Sequence, residues 1–225
     1  MRKGHDSLVL KQINLFYYCD YMPYVPKEDR PELDGAVKEL SDEIISLLKS
    51  KNGDTDLAVL YKEKITNVIE TIISREMGKT IENSNPSIKL GNKIFDVAIK
   101  YNYRGAWLGE LNYAITRLIQ VVPYTLYKNG IFKEALRYWI YALTAGALEQ
   151  VAIDFSKKRK IPEWIKIGIV GVLNDIKDEY KRRVNTAYEA HQIEKNGDCY
   201  EYSPYHTELR KTDDGFTEVM KKFEI

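Results

Sequence analysis

Ile165-Lys166-Ile167-Gly168-Ile169-Val170-Gly171-Val172-Leu173-Asn174-Asp175-Ile176-Lys177-Asp178-Glu179-Tyr180, running on to Val184 and Ala187, decides the fold. Ile165, Ile169, Val172, Leu173, Ile176, Tyr180, Val184 and Ala187 recur at three- and four-residue steps, the period of one apolar helical stripe. Asp175, Glu179, Arg182 and Glu189 fall on the opposite side. The stretch reads as one long helix over Ile165–Asp198, stopped by Asn196-Gly197-Asp198. Arg183 falls at the stripe's edge, so it is expected to be partly buried and paired with a carboxylate, Glu110 first and Glu149 second. The segment has a clear pattern and carries no recognisable reaction.

The same period recurs upstream. Pro31 in a first turn leads a stripe of Leu33, Val37, Leu40, Ile44 and Leu47/Leu48. Asp54 or Thr55 caps a second stripe, Leu57, Leu60, Tyr61, Ile65, Val68, Ile72 and Ile73, with Gly78 beyond its end. These two predict an antiparallel hairpin. Lys79–Ser87 reads as a loop, and Ile88–Tyr103 as a helix with some strand-like alternation at its start. Trp107–Tyr127 carries Leu108, Leu111, Ile115, Leu118 and Val122, with Pro123 placed to kink or end it. Ile131–Ser156 is apolar almost all round and is expected to be the buried centre. Met1–Tyr24 reads as an apolar arm, followed by an extended Met22–Lys27 segment. The predicted fold is all-α, a multi-helix bundle around a buried central helix. One domain covers 1–203, with 204–225 as a polar tail.

Bulk composition bounds the function. The chain has 225 residues, 44% hydrophobic and 30% charged, enough for a sizeable core. A net charge of +1 argues against a generic nucleic-acid binder. Cys19 and Cys199 make neither a disulfide framework nor a four-ligand zinc site, which points to a reducing, cytoplasmic setting. No signal peptide is evident. The most apolar run, Ala135–Leu148, contains Arg137 and falls short of the roughly twenty residues a membrane span needs. No membrane partner is expected. Seventeen tyrosines among many Lys, Glu and Ile suit a thermophile or an AT-rich genome equally.

Glu110, Tyr113 and Arg117 share a helical flank bordering an apolar stripe, where a guanidinium could fork a carboxylate or phosphate. An interhelical salt bridge is the plainer reading. Asp175, Asp178, Glu179, Glu189, Glu194 and Asp198 form an acidic series interrupted by Lys181 and Arg182, the pattern of surface ion pairs. His5, His191 and His206 lack ligand spacing, and no phosphate-loop, dinucleotide or hydrolase motif occurs. Gly168 and Gly171 read as close-packing residues. Tyr180, Tyr188, Tyr200, Tyr202 and Tyr205 cluster toward the long helix's end, as core and rim aromatics.

Three blocks carry a resemblance. They are Met22-Pro23-Tyr24-Val25-Pro26 through Arg30-Pro31 to Leu33-Asp34, then Gly109-Glu110-Leu111-Asn112-Tyr113 to Arg117, then Gly171-Val172-Leu173 through Arg182-Arg183, Tyr188-Glu189 and Asn196-Gly197-Asp198. Together they resemble a family of short uncharacterised proteins of tailed phages and bacteria, over residues 22–41, 109–120 and 165–203, and the resemblance implies that 42–108 is an inserted helical hairpin. Its pattern has tyrosine where this chain has Lys181, and proline where it has Ala187. The resemblance supplies candidate positions and no chemistry.

Two functions follow as expectations. The first is a protein-interaction or assembly module, phage-related, a homodimer among its forms, acting without a cofactor; tyrosine and arginine dominate binding hot spots. The second is a Mg²⁺-dependent phosphoester or nucleotide hydrolase. Its metal would be held by Glu179, Glu189 and Asp198, with Arg182 or Arg117 neutralising phosphate charge. The catalytic candidates on that reading are Glu110, Arg117, Glu179, Arg182, Arg183 and Glu189.

Overall fold

A computed structural model describes residues 25–51, 55–132 and 138–197. The apolar arm Met1–Tyr24, the Asp54 cap, Asp198, both cysteines, Tyr200, Tyr202, Tyr205 and the 204–225 tail lie outside the described residues. Inside them the chain forms seven α-helices and no strand: α1 (Arg30–Lys51), α2 (Thr55–Glu76), α3 (Pro86–Ala98), α4 (Trp107–Lys128), α5 (Tyr138–Ser156), α6 (Glu163–Tyr180) and α7 (Thr186–Asn196). A 3₁₀ turn, Ile99–Tyr101, follows α3, and a π turn, Lys181–Asn185, follows α6. Contacts divide the chain into two units, residues 1–181 and 182–225.

The first unit is a bundle of six helices, α1 to α6. Leu33, Leu40, Ile44, Leu57, Tyr61, Ile65, Ile72, Leu111, Ile115, Leu118 and Val122 are fully buried, so the 3.6-residue stripes face the core. The ambiguous 88–103 stretch is α3 and its 3₁₀ turn. Asn85 starts α3, its side chain accepting from the Ser87 N–H (2.9 Å) with Pro86 in the first turn. Asn102, in the left-handed region (φ 52°), ends the 3₁₀ turn. Pro123 does not end α4, which runs through it to Lys128.

Helix pairing is less regular than the chain order suggests. The α1 and α2 hairpin is joined by the Lys64–Glu43 pair (2.7 Å), but α1 packs mainly on α4 and α3, and α2 on α3 and α5. Lys89–Glu39 (3.0 Å) and Lys93–Glu32 (3.1 Å) set α3 antiparallel to α1. Helix α5 packs on α2 and α6, burying Ile140, Thr144, Leu148, Val151 and Phe155. Its other face is open at Tyr138, Trp139, Glu149 and Gln150, so apolar composition all round does not enclose it completely.

Glycines correct one expectation. Gly171 is exposed with open space where a Cβ would stand, so it makes no close packing, whereas a Cβ on Gly168 would press on the Leu108 methyls at 3.1–3.2 Å. The tightest approach is at Gly91, where a Cβ would stand 2.6 Å from Thr71 Cβ and 2.7 Å from the Val68 carbonyl. That crossing lets α3 sit directly on α2.

The long-helix stripe holds only in part. Ile165, Ile169, Leu173, Ile176 and Tyr180 are buried, while Ala187 is exposed. A π turn takes more residues per revolution than an α-helix, so the period set by Ile165–Tyr180 does not carry across Lys181–Asn185. The second unit's described part is the rest of that turn from Arg182 and α7, which stops at Gly197 (φ 86°).

Candidate functional site

The first and second sequence blocks meet where the start of α1 lies against α4. Pro26 and Pro31 bracket a tight turn, closed by Asp29 N–H on the Pro26 carbonyl (3.1 Å), which turns Asp29 inward until only 8% of it is exposed. The 3₁₀ turn after α3 presents two donors to it. The Lys100 ammonium donates to Asp29 Oδ1, and the Tyr101 hydroxyl to Oδ2 at 2.7 Å. Burial alone would raise the Asp29 carboxyl, but these two donors hold it below the ordinary carboxylate value.

Glu110, in the first turn of α4, is 1% exposed, and neither carboxylate oxygen has a hydrogen-bond partner among the described residues. Burial pushes its pKa up to about 7. Its own main-chain N–H favours the charged form without forming a hydrogen bond of ordinary geometry, the Asp29 charge raises the pKa further, and Lys100 opposes. Two carboxylates on facing elements are thus held in different states, Asp29 ionised and Glu110 poised around neutrality. Burial and the bond to Asp29 also push the Tyr101 hydroxyl well up.

One turn along α4 the cluster opens to solvent. The Tyr113 hydroxyl donates to Asp34 Oδ1 (3.0 Å), and Arg117 Nε donates to the same oxygen (3.3 Å). Arg30 Nε donates to the Val25 carbonyl (2.9 Å), with its guanidinium carbon 5.7 Å from the centre of the Tyr113 ring. The expected flank of Glu110, Tyr113 and Arg117 is therefore real, but its parts differ. Tyr113 and Arg117 make the interhelical bridge to Asp34, and Glu110 makes none. Asp29, Arg30 and Asp34 carry this arrangement from the other side, with Lys100 and Tyr101. The pairing of Asp34 with Arg117 had one legible signal, complementary charges on two helices.

Arg183 is exposed, correcting the expected burial; it stands inside the π turn, where the α-helical period that put it at the stripe's edge does not apply. Glu149, its second expected partner, is held by Lys177. Glu179, in the last turn of α6, is half-buried; Arg182 is exposed in the π turn, and Glu189 is half-buried on α7. Among the described residues no group of three or more His, Cys, Asp or Glu could hold a metal ion. Asp198 lies outside them. Among the described residues no helix is long and apolar enough to cross a membrane.

A different surface concentrates aromatic side chains. Leu108 lies by Gly168 and Asn112 donates to Asp175, so α4 and α6 run in the same direction. Tyr141 near the start of α5 stacks on Tyr180 at the end of α6 (5.6 Å between ring centres), and Tyr138 lies 5.9 Å from Tyr141. The ends of α4 and α6 and the start of α5 therefore share one end of the six-helix bundle. There Tyr124, Tyr127, Ile131, Tyr138 and Trp139 are 53%, 46%, 38%, 50% and 51% exposed. The chain's tyrosine count announces such a surface without locating it.

The family model described as Domain of unknown function (DUF6899) matches residues 22–167, a span that holds both halves of the Asp29–Glu110 cluster and all five exposed residues of the aromatic end. No curated protein and no solved structure matches the chain.

Proposed function

We propose, for a chain that belongs to the family described as Domain of unknown function (DUF6899), a role as a helical interaction and assembly module that binds a second copy of itself through its aromatic end. One observation carries this reading: five large side chains, Tyr124, Tyr127, Ile131, Tyr138 and Trp139, stand 38–53% exposed on the segments where α4 ends and α5 begins. Tyr138 lies against Tyr141, Tyr124 lies under the Lys128 ammonium, and part of each of the five side chains is left to water. Exposed apolar surface gathered toward one end of a fold favours a contact site, and tyrosine and tryptophan are enriched among hot-spot residues. Tyrosine hydroxyls both donate and accept, so the same patch can serve as its own complement, as a two-fold interface requires. The phage-related origin rests on the three sequence blocks alone, and the cytoplasmic setting on the two widely spaced cysteines.

The test is hydrogen exchange of the full chain at low and high protein concentration. Peptides spanning residues 124–141 should gain protection with concentration, and a Tyr138→Ser/Trp139→Ser double variant should lose that gain. Equal exchange at both concentrations would remove the proposal.

A further inference from the structure

We infer that Arg30 and Arg117, set around the Tyr113–Asp34 pair, form an oxyanion-binding notch that takes the carboxylate or phosphate group of a small ligand. This site is separate from the aromatic end and does not depend on it.

Both guanidinia are anchored through Nε alone. Arg30 Nε donates to the Val25 carbonyl and Arg117 Nε to Asp34 Oδ1. Their four terminal amino groups have no acceptor among the described residues. Both heads act on the Tyr113 hydroxyl: burial and Asp34 push its pKa up, and Arg117 and Arg30 each pull it down. Arg30 lies 5.7 Å from the Tyr113 ring centre, while the Tyr113 hydroxyl and Arg117 share one oxygen of Asp34. Asp34 accepts from the Arg117 guanidinium, while the Arg30 guanidinium is held by a neutral carbonyl and no carboxylate is bonded to it among the described residues. A solute can reach the notch, since the Arg117 and Asp34 side chains are each 42% exposed. A planar fork fixed at Nε with its outer N–H groups free is the geometry arginine uses for bidentate carboxylate and phosphate recognition. The start of α1 at Arg30 adds the positive end of a helix dipole to the same spot.

The plainer reading is a purely structural bridge, and the two differ in solution. The full-length protein, ¹⁵N-labelled, would be titrated with sodium acetate, sodium phosphate and sodium chloride at constant ionic strength while arginine Nε–H signals are followed. Saturable shifts of two arginine signals with acetate or phosphate, absent with chloride, are expected. Whichever oxyanion saturates first names the ligand group. Arg30→Gln and Arg117→Gln should each weaken binding about tenfold or more, the loss of at least one charge-assisted bond. Arg117→Lys, which keeps the charge and removes the fork, should weaken it too, and it serves if a glutamine variant fails to fold. Linear shifts, equal shifts with chloride, or saturation unchanged in Arg117→Lys would each overturn the assignment.

Discussion

Replacing Glu110 with glutamine should stabilise the protein at alkaline pH and leave it almost unchanged in acid. The reasoning follows from burial. The unfolded chain ionises this carboxyl at the ordinary value of 4.5, whereas the folded protein holds it protonated until about pH 7. Below the ordinary value both states carry the proton and nothing is lost. As pH rises from there to about 7, only the unfolded state sheds its proton, so stability falls. Above that the cost levels off. A gap of that size corresponds to about 3 kcal/mol at pH 8. Glutamine has the shape of the protonated acid and cannot ionise, so the variant escapes the cost. For a chain of this length the difference is roughly 6–12 °C in melting temperature. Trp107, Trp139 and Trp164 all lie in the first unit, so tryptophan fluorescence during thermal unfolding reads the bundle itself. Wild type and Glu110→Gln should melt within about 1 kcal/mol of each other near pH 5 and diverge toward pH 8. Parallel pH profiles for the two would refute the reasoning.

Asp29→Asn should cost about 1–3 kcal/mol, since it leaves the Lys100 ammonium and Tyr101 hydroxyl without their ionised acceptor, as urea unfolding would show. The same change removes a charge that raises the Glu110 pKa, so the fall in stability should move to lower pH. Gly91→Ala should cost about 1–3 kcal/mol in the same assay, because its methyl would meet the Thr71 side chain and the Val68 carbonyl below 3 Å. Trp107→Phe removes the indole N–H that Glu76 accepts at 2.9 Å and should cost roughly 1–2 kcal/mol.

Which residues form helices was legible because burial of a helix face leaves a periodic trace. Leu33 to Leu48, Leu57 to Ile73 and Leu111 to Val122 all turn inward as their spacing requires. Which helices meet leaves a weaker trace. Chain order favours the α1–α2 hairpin, yet the larger contacts of α1 are with α4 and α3. Gly91 carried a signal, an isolated glycine inside a helical pattern, while Gly168 and Gly171 looked alike and only Gly168 meets a neighbour. The extrapolated stripe past Tyr180 missed because a π turn has no composition of its own. The spacing puts Glu110 at the edge of its helix's apolar stripe, but no spacing rule shows that a carboxylate there is buried without a hydrogen-bond partner among the described residues. That depends on the proline-bracketed turn carrying Asp29 and on the 3₁₀ turn carrying Lys100 and Tyr101, elements distant in sequence. Tyr113 and Arg117 were legible as a flank, and their acceptor Asp34 became visible only once α1 lay along α4.

The proposed self-association is tested most directly by sedimentation equilibrium of the full-length chain over a dilution series. The account predicts a weight-average mass that rises from the monomer's 26.2 kDa toward twice that value with concentration, and stays at the monomer value in the Tyr138→Ser/Trp139→Ser variant. A wild-type mass fixed at 26.2 kDa across the whole series would contradict it.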